Sequence, residues 1–151
     1  MDRHLQKPFS KAGKRIERLK NDAVLDSYAI LAFLNQEPGY DAIKKLFRQA
    51  GRQQIKLYLN EINVGECYYI IHKTRSKAAA EKFLLTLQTL SIELTNNSFQ
   101  DVIEAAKIKA AFSLSYADAF VISTARKLNA LIYTGDQEFK QIKHLVRVKW
   151  I

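Results

Sequence analysis

From residue 23 onward, short apolar runs alternate with longer segments whose apolar positions recur three and four residues apart. Ala23-Val24-Leu25 is a run of three that ends abruptly in Asp26, which predicts a short buried strand. Ser27 to Asn35 has helical character, Pro38-Gly39 marks a turn, and Tyr40 to Ala50 reads as an amphipathic helix with Ile43, Leu46 and Phe47 inward and Gly51 as its stop. Ile55 to Leu59 is a second predicted strand. Asn60 then caps a helix running to about His72, and Ser76 caps another to about Thr89. Ser91 to Leu94 forms a third strand, followed by helices over Ser98 to Phe112 and Ser115 to Leu128, with Asn129 as a C-terminal stop. Ala130 to Tyr133, a short helix over Gln137 to Lys143, and a last strand over Leu145 to Lys149 complete the chain.

Strands separated by helices predict an α/β domain with a mostly parallel sheet, because parallel neighbours need a crossover of helical length. Internal repeats and low-complexity tracts are absent, and the composition shifts only once, near residue 22. The expected organisation is a basic extension over residues 1–22 and one α/β domain over 23–151. In the extension, Phe9, Ala12, Ile16 and Leu19 fall at helical spacing, compatible with a basic amphipathic helix or a solvated tail.

Composition narrows the function classes. The chain has 151 residues, 48% apolar and 26% charged, enough for a core without disulfide or metal staples. Its apolar stretches are broken by Asp26, Asn35 or Glu66, far short of the ~20 residues that span a bilayer. The basic first residues lack the apolar core of a secretory signal. Cys67 is the only cysteine and is expected to be a small buried hydrophobe. His4, His72 and His144 have no metal-ligand spacing, so a thiolate or imidazole zinc site is excluded. A cytoplasmic protein is the expectation. Twenty-four Lys and Arg against fifteen Asp and Glu leave a net charge of +9, which favours a polyanionic or acidic partner.

The candidate chemistry lies in four acids. In open α/β sheets, ligands bind beyond the C-terminal ends of the strands. Asp26 closes the first predicted strand, and Asp136 follows the fourth after Thr134-Gly135. Glu66 shares a helical face with Ile62 and Ile70, and Asp118 opens a helix in line with Val121, Ile122 and Ala125. No Lys or Arg lies within one helical turn of Glu66 or Asp118. Carboxylates gathered without basic partners repel one another, and a hard divalent cation with oxygen ligands relieves that cost. Capping explains three of the four equally well taken singly: Asp26 and Asp136 precede helices, and Ser115 with Asp118 resembles a capping box. Their joint placement on the ligand side favours a shared metal site.

Four segments carry a family resemblance: Val24-Leu25-Asp26-Ser27, Asn63-Val64-Gly65-Glu66, Leu114-Ser115-Tyr116-Ala117-Asp118-Ala119 and Tyr133-Thr134-Gly135-Asp136-Gln137-Glu138-Phe139. In order and spacing the chain resembles a PIN-domain ribonuclease, most closely a VapC toxin of a type II toxin–antitoxin module. The resemblance covers residues 23–151 and leaves the basic extension outside it. It implies a three-layer α/β/α fold with Asp26, Glu66, Asp118 and Asp136 as the acidic quartet. Asp26 and Asp118 are the firmest metal ligands, and Glu66 and Asp136 bind directly or through water. Thr134 looks like the small hydroxyl residue that orients the site, with Ser27 in a similar supporting part.

The implied activity is magnesium- or manganese-dependent endonucleolytic cleavage of RNA by hydrolysis of phosphodiester bonds. The implied partners are the RNA substrate, a cognate antitoxin and a second copy of the chain in a homodimer. Basic residues on helical faces, such as Lys44 and Arg75, are candidates for phosphate contact as well as ordinary solvated charges. Tyr68 and Tyr69 are candidates for base stacking as well as packing. Three other readings compete: a PIN nuclease of RNA processing without an antitoxin, a non-catalytic RNA-binding module, and a receiver-like phosphoacceptor domain. The last lacks the paired acids after the first strand.

Overall fold

The computed structural model describes residues 21–151. The predicted extension therefore lies, except for its last two residues, outside the described residues. Five strands form one sheet in the order β3-β2-β1-β4-β5, every neighbouring pair parallel. They are β1 Ala23–Leu25, β2 Leu57–Asn60, β3 Glu93–Thr95, β4 Leu131–Thr134 and β5 Val148–Trp150. The helices are α1 Ser27–Leu34, α2 Tyr40–Gly51, α3 Glu61–Thr74, α4 Lys77–Thr89, α5 Phe99–Ala111 and α6 Tyr116–Leu128, with a 3-10 helix over Gln137–Ile142.

Alternation along the strands divides the core in two. Ala23, Leu25, Leu57 and Leu59 pack with Ile30, Ile43, Cys67, Ile71 and Phe83 from the first four helices. Val24, Tyr58 and Ile132 face the other way, onto Ile108, Phe120, Val121, Phe139 and Ile142. The result is the expected three-layer α/β/α arrangement. Because both faces are covered, the inner strands β1, β2 and β4 read as mostly apolar runs, as buried parallel strands do, whereas the strands at the edges, β3 and β5, carry exposed Glu93 and Lys149.

Several boundaries shift for identifiable reasons. The strand expected over Ile55 to Leu59 begins at Leu57, since the chain is still turning at Gln53, whose φ is 58°. That left-handed residue, not Gly51, reverses the chain after α2; Gly51 is the helix's last residue and Arg52 its cap. The third strand moves to Glu93–Thr95, and the last moves from Leu145–Lys149 to Val148–Trp150, in register with Ile132–Thr134. The helix expected over Gln137 to Lys143 is 3-10. Asn129 does stop α6, at φ 51° in the left-handed region that Asn tolerates.

Asn60, buried at the end of β2, caps α3 through Oδ1 and donates through Nδ2 to Thr124 and Asn97, tying three layers together.

Candidate functional site

β1, β2 and β3 are laid down in one direction across the sheet, and β4 and β5 in the other. The crevice beyond the ends of β1 and β4 is thus the topological switch point, where the connecting helices diverge and leave room for a ligand. Asp26 follows β1 and Thr134 ends β4. The register that opposes Leu25 to Tyr133 brings the next residues on each strand face to face.

Asp26 is almost wholly buried, and both of its oxygens are engaged. Oδ1 accepts from the Ala29 amide at 2.8 Å, capping α1, and Oδ2 accepts from the Thr134 hydroxyl. Thr134 Oγ1 in turn accepts from the Asp136 amide at 2.9 Å, so one hydroxyl links β1 to the turn after β4. Asp136 caps the 3-10 helix by accepting from the Glu138 amide at 2.9 Å. Capping and clustering are therefore not alternatives here: each carboxylate retains lone pairs beyond the one that caps.

Asp118 stands in the first turn of α6 and is buried. Its amide donates to the Ser115 hydroxyl at 3.1 Å. The reciprocal capping box is complete at Ser98 and Asp101 of α5, where the acid's side chain is spent on the Ser98 amide. At α6 the Asp118 side chain does not cap the Ser115 amide; it interacts with the Ser115 hydroxyl and is left near the acids of the crevice.

Oxygens of Asp118, Asp136 and Glu138 lie within 4.8 Å of one another. This triad overlaps the predicted quartet in two members and adds Glu138, which the sequence reading quoted within its last motif but gave no role. The missed signal was the i+2 spacing from Asp136: the 3-10 turn that Asp136 caps returns Glu138 to its neighbour. Asp26 and Glu66 stand outside the triad but within electrostatic reach of it, since Glu66 acts on Asp118, and Asp118 and Asp136 act on Asp26.

Burial, countered by the Thr134 and Ala29 hydrogen bonds and reinforced by Asp118 and Asp136, pushes the Asp26 carboxyl up to about 7. Burial also pushes Asp118 up to about 7. A Ser115 hydrogen bond opposes that shift, and Asp136, Glu66 and Glu138 add to it. Among the described residues, the leading charged neighbours acting on Asp118 are acids. Three carboxylates so placed, with a further two nearby, form an all-oxygen donor set suited to a hard divalent cation such as magnesium or manganese. That is the fit expected of a cation site.

Other predicted residues find different places. Glu66 does not interrupt the buried face of α3. That face is Asn63, Cys67 and Ile71, while Ile62 is exposed, so Glu66 lies at the rim where a carboxylate costs little. Ser27 exchanges hydrogen bonds with Asn63 and does not touch the acids. Asn63 also reaches the Ala117 carbonyl at 3.3 Å and braces α1 and α3 against α6 beside Asp118. Tyr68 donates to Glu81 at 2.6 Å, which makes it a brace between α3 and α4, whereas Tyr69 is exposed. Lys44 lies over the Tyr40 ring, and Arg75 donates to Asn35. Cys67 is buried among apolar neighbours, which push its thiol up to about 12, far from a thiolate nucleophile. Among the described residues no helix is long and apolar enough to cross a membrane.

Residues 23–145 match the family model of the PIN domain. No curated protein matches the chain by sequence. Similar solved structures include VapBC2 from Rickettsia felis bound to a promoter DNA fragment, at 17% identity and TM-score 0.68, over 85% of this chain and 98% of that one. VapC20 from Mycobacterium tuberculosis, a sarcin–ricin loop cleaving toxin, matches at 14% identity and TM-score 0.64, over 80% and 94%. FitAcB from Neisseria gonorrhoeae matches at 17% identity and TM-score 0.62, over 83% and 95%.

Proposed function

Because the chain belongs to the PIN-domain family, we propose that it is a hydrolytic nuclease, namely a magnesium- or manganese-dependent endoribonuclease acting as the toxin of a toxin–antitoxin pair. The observation that carries this reading is the gathering of Asp118, Asp136 and Glu138 oxygens within 4.8 Å at the switch point, beside buried Asp26. Isolated structural carboxylates are not arranged this way, because their mutual repulsion in a partly desolvated crevice raises the free energy of the folded state.

In this reading Asp118, Asp136 and Glu138 hold the cation, with Glu66 approaching from α3. Asp26 acts with Thr134: the hydroxyl donates to Asp26 and accepts from the Asp136 amide, which fixes the main chain that aims Asp136. When bound, the cation would lower the pKa of water and offset charge on the phosphate and leaving oxygen. The protein's part is to hold the carboxylates in place; the Thr134 and Ala29 hydrogen bonds favour the ionised form of Asp26 against the burial that opposes it. No side chain of this site is required as a covalent nucleophile, in keeping with the inert Cys67 thiol.

Two neighbours support the biological assignment. VapC20 is a sarcin–ricin loop cleaving toxin, and a further similar structure is a toxin–antitoxin complex from Klebsiella pneumoniae. By analogy this chain takes RNA as substrate, binds a cognate antitoxin and forms a homodimer in the cytoplasm. The net charge of +9 suits both a polyanionic substrate and an acidic inhibitor.

The test is incubation of wild type and Asp118→Asn with total cellular RNA in magnesium, manganese or EDTA, followed by mapping of new 5′ ends. Discrete, cation-dependent cuts that vanish in the variant are expected. Cuts that persist in Asp118→Asn overturn the site. An absence of both cuts and cation binding in the wild type overturns the nuclease reading.

A further inference from the structure

An open pocket of about 420 Å³ lies at the far end of α6 from Asp118, and its charged lining is entirely basic. Arg126 enters from the last turn of α6, Lys143 and His144 from the turn after the 3-10 helix, and Arg147 from the approach to β5. No acid lines it among the described residues. Arg126, Lys143 and His144 are exposed, while Arg147 is fixed on the wall by donating Nη2 to the Asn129 carbonyl at 3.1 Å. Glu104 of α5, an acid on which Arg126 acts, is itself bonded to Lys107 at 3.0 Å.

Helix ends do not account for this charge. α6 and the 3-10 helix both finish here, and a helix C-terminus carries roughly half a negative charge. Two such ends balance about one cation, whereas Arg126, Lys143 and Arg147 bring three, with His144 beside them. The last carbonyls of α6 are moreover already bonded to the Asn129 and Ala130 amides.

Two elements lead from the carboxylates to the pocket. Asp118 and Arg126 are eight residues apart on α6, roughly 12 Å at about 1.5 Å per residue. Asp136 and Lys143 are seven residues apart along the 3-10 path, roughly 14 Å at about 2 Å per residue. With three residues per turn, Phe139 and Ile142 share the buried side of that helix, and Lys140 and Lys143 share an exposed one. A row of lysines thus joins the acid cluster to the basic pocket.

We propose that Lys140, Lys143 and Arg126 bind successive phosphates of the substrate RNA on one side of the scissile bond, the pocket beside Arg147 holding the last. This rests on the nuclease reading above and adds the path the strand takes away from the carboxylates. Stacked nucleotides rise about 3.4 Å each, which puts that last phosphate about four nucleotides from the cut. The carboxylates repel the rest of the backbone, so affinity for the strand comes from basic surface outside the cluster.

The experiment measures binding of a fluorescein-labelled RNA of mixed sequence in EDTA over a range of KCl concentrations. Proteins are wild type, Arg126→Gln/Lys143→Gln and, as an exposed control on α4, Lys82→Gln. The double variant is expected to reduce the log–log salt slope by about 1.4, which is about 25-fold in affinity at about 0.1 M salt. Lys82→Gln keeps the wild-type slope. Both altered side chains are exposed, and thermal melting checks that the fold is intact. Uncharged methylphosphonates placed one at a time in a cleaved RNA then locate the contact on wild type. One position a few nucleotides to one side of the cut should cost about fivefold in wild type and nothing in the double variant. A wild-type slope in the double variant, or a scan flat outside the cut, overturns the phosphate path and leaves the nuclease reading standing. An equal fall in binding of poly-glutamate assigns the pocket to an acidic protein segment and overturns it too. Wild type that neither binds nor cleaves RNA overturns both readings.

Discussion

Thr134 donates its hydroxyl to Asp26 across 108 residues of chain, and the same oxygen accepts the Asp136 amide. A single buried atom thus couples the acid after β1 to the acid after β4. Thr134→Val keeps the shape and removes both bonds, leaving a buried carboxylate oxygen and an amide without partners. We expect manganese affinity and cleavage to fall by about 10- to 100-fold, as for loss of an orienting group behind a metal site. Thr134→Ser should restore most of both. Isothermal titration and RNA cleavage provide the readout, and a silent Thr134→Val would reject the coupling.

The pH dependence runs opposite to that of a salt-bridged acid. Asp26 and Asp118 are raised by burial from 3.8 to about 7 in the cation-free protein. Between about pH 4 and 7 the folded chain holds protons that the unfolded chain has released, so stability falls as pH rises through that window and levels off above it. The two acids act on each other, so the titration belongs to the pair. Melting curves in EDTA should show a lower Tm at about pH 8 than at about pH 5. Magnesium or manganese should raise Tm mainly at the higher pH, where no proton competes. Asp118→Asn should flatten the profile; a Tm that climbs with pH in EDTA would contradict the burial of these acids.

Gly135→Ala places a methyl group into the Tyr28 ring, 2.3 Å from its nearest atom. The expected cost is about 1–3 kcal/mol, typical of overpacking. Removing the ring in Gly135→Ala/Tyr28→Ala should recover part of it, giving a coupling of about 0.5–3 kcal/mol in a double-mutant cycle by urea denaturation. Additive effects would show that the two residues do not touch.

Glu138 is exposed, and its place in the triad makes a sharp contrast between stability and binding. Glu138→Gln should change stability by less than about 0.5 kcal/mol, as surface substitutions do. Manganese affinity should nevertheless fall by at least about tenfold. Unchanged affinity would remove Glu138 from the cation site.

Most of the architecture was legible in the order of residues. Ala23-Val24-Leu25 ending in Asp26, the caps at Asn60, Ser76 and Ser115, and the stop at Asn129 are local features, governed by the chain's own periodicity and by side chains bonding backbone a few residues away. The positions of Asp26, Asp118 and Asp136 at strand ends and a helix start follow from that pattern, because the parallel α/β connection puts all such ends on one side of the sheet. Strand limits were less legible. Whether Ile55 or Leu57 opens β2, and whether Leu145 or Val148 opens β5, depends on which residues find a hydrogen-bonding neighbour.

What the tertiary structure alone decided is how the acids divide the work. Glu66 seemed to break an apolar helical face, yet α3 is rotated so that Asn63, Cys67 and Ile71 are buried and Glu66 meets the crevice from its rim. Glu138 joined the cluster because the turn after Asp136 is 3-10, a tighter path than an α-helix would take. Tyr28 meets Gly135 only because β4 brings that turn against its ring. Periodicity specifies which residues share a face of one element. The rotation of that face, and the atoms it meets from a hundred residues away, are set by the packing of two helical layers on a sheet whose order reverses between β1 and β4.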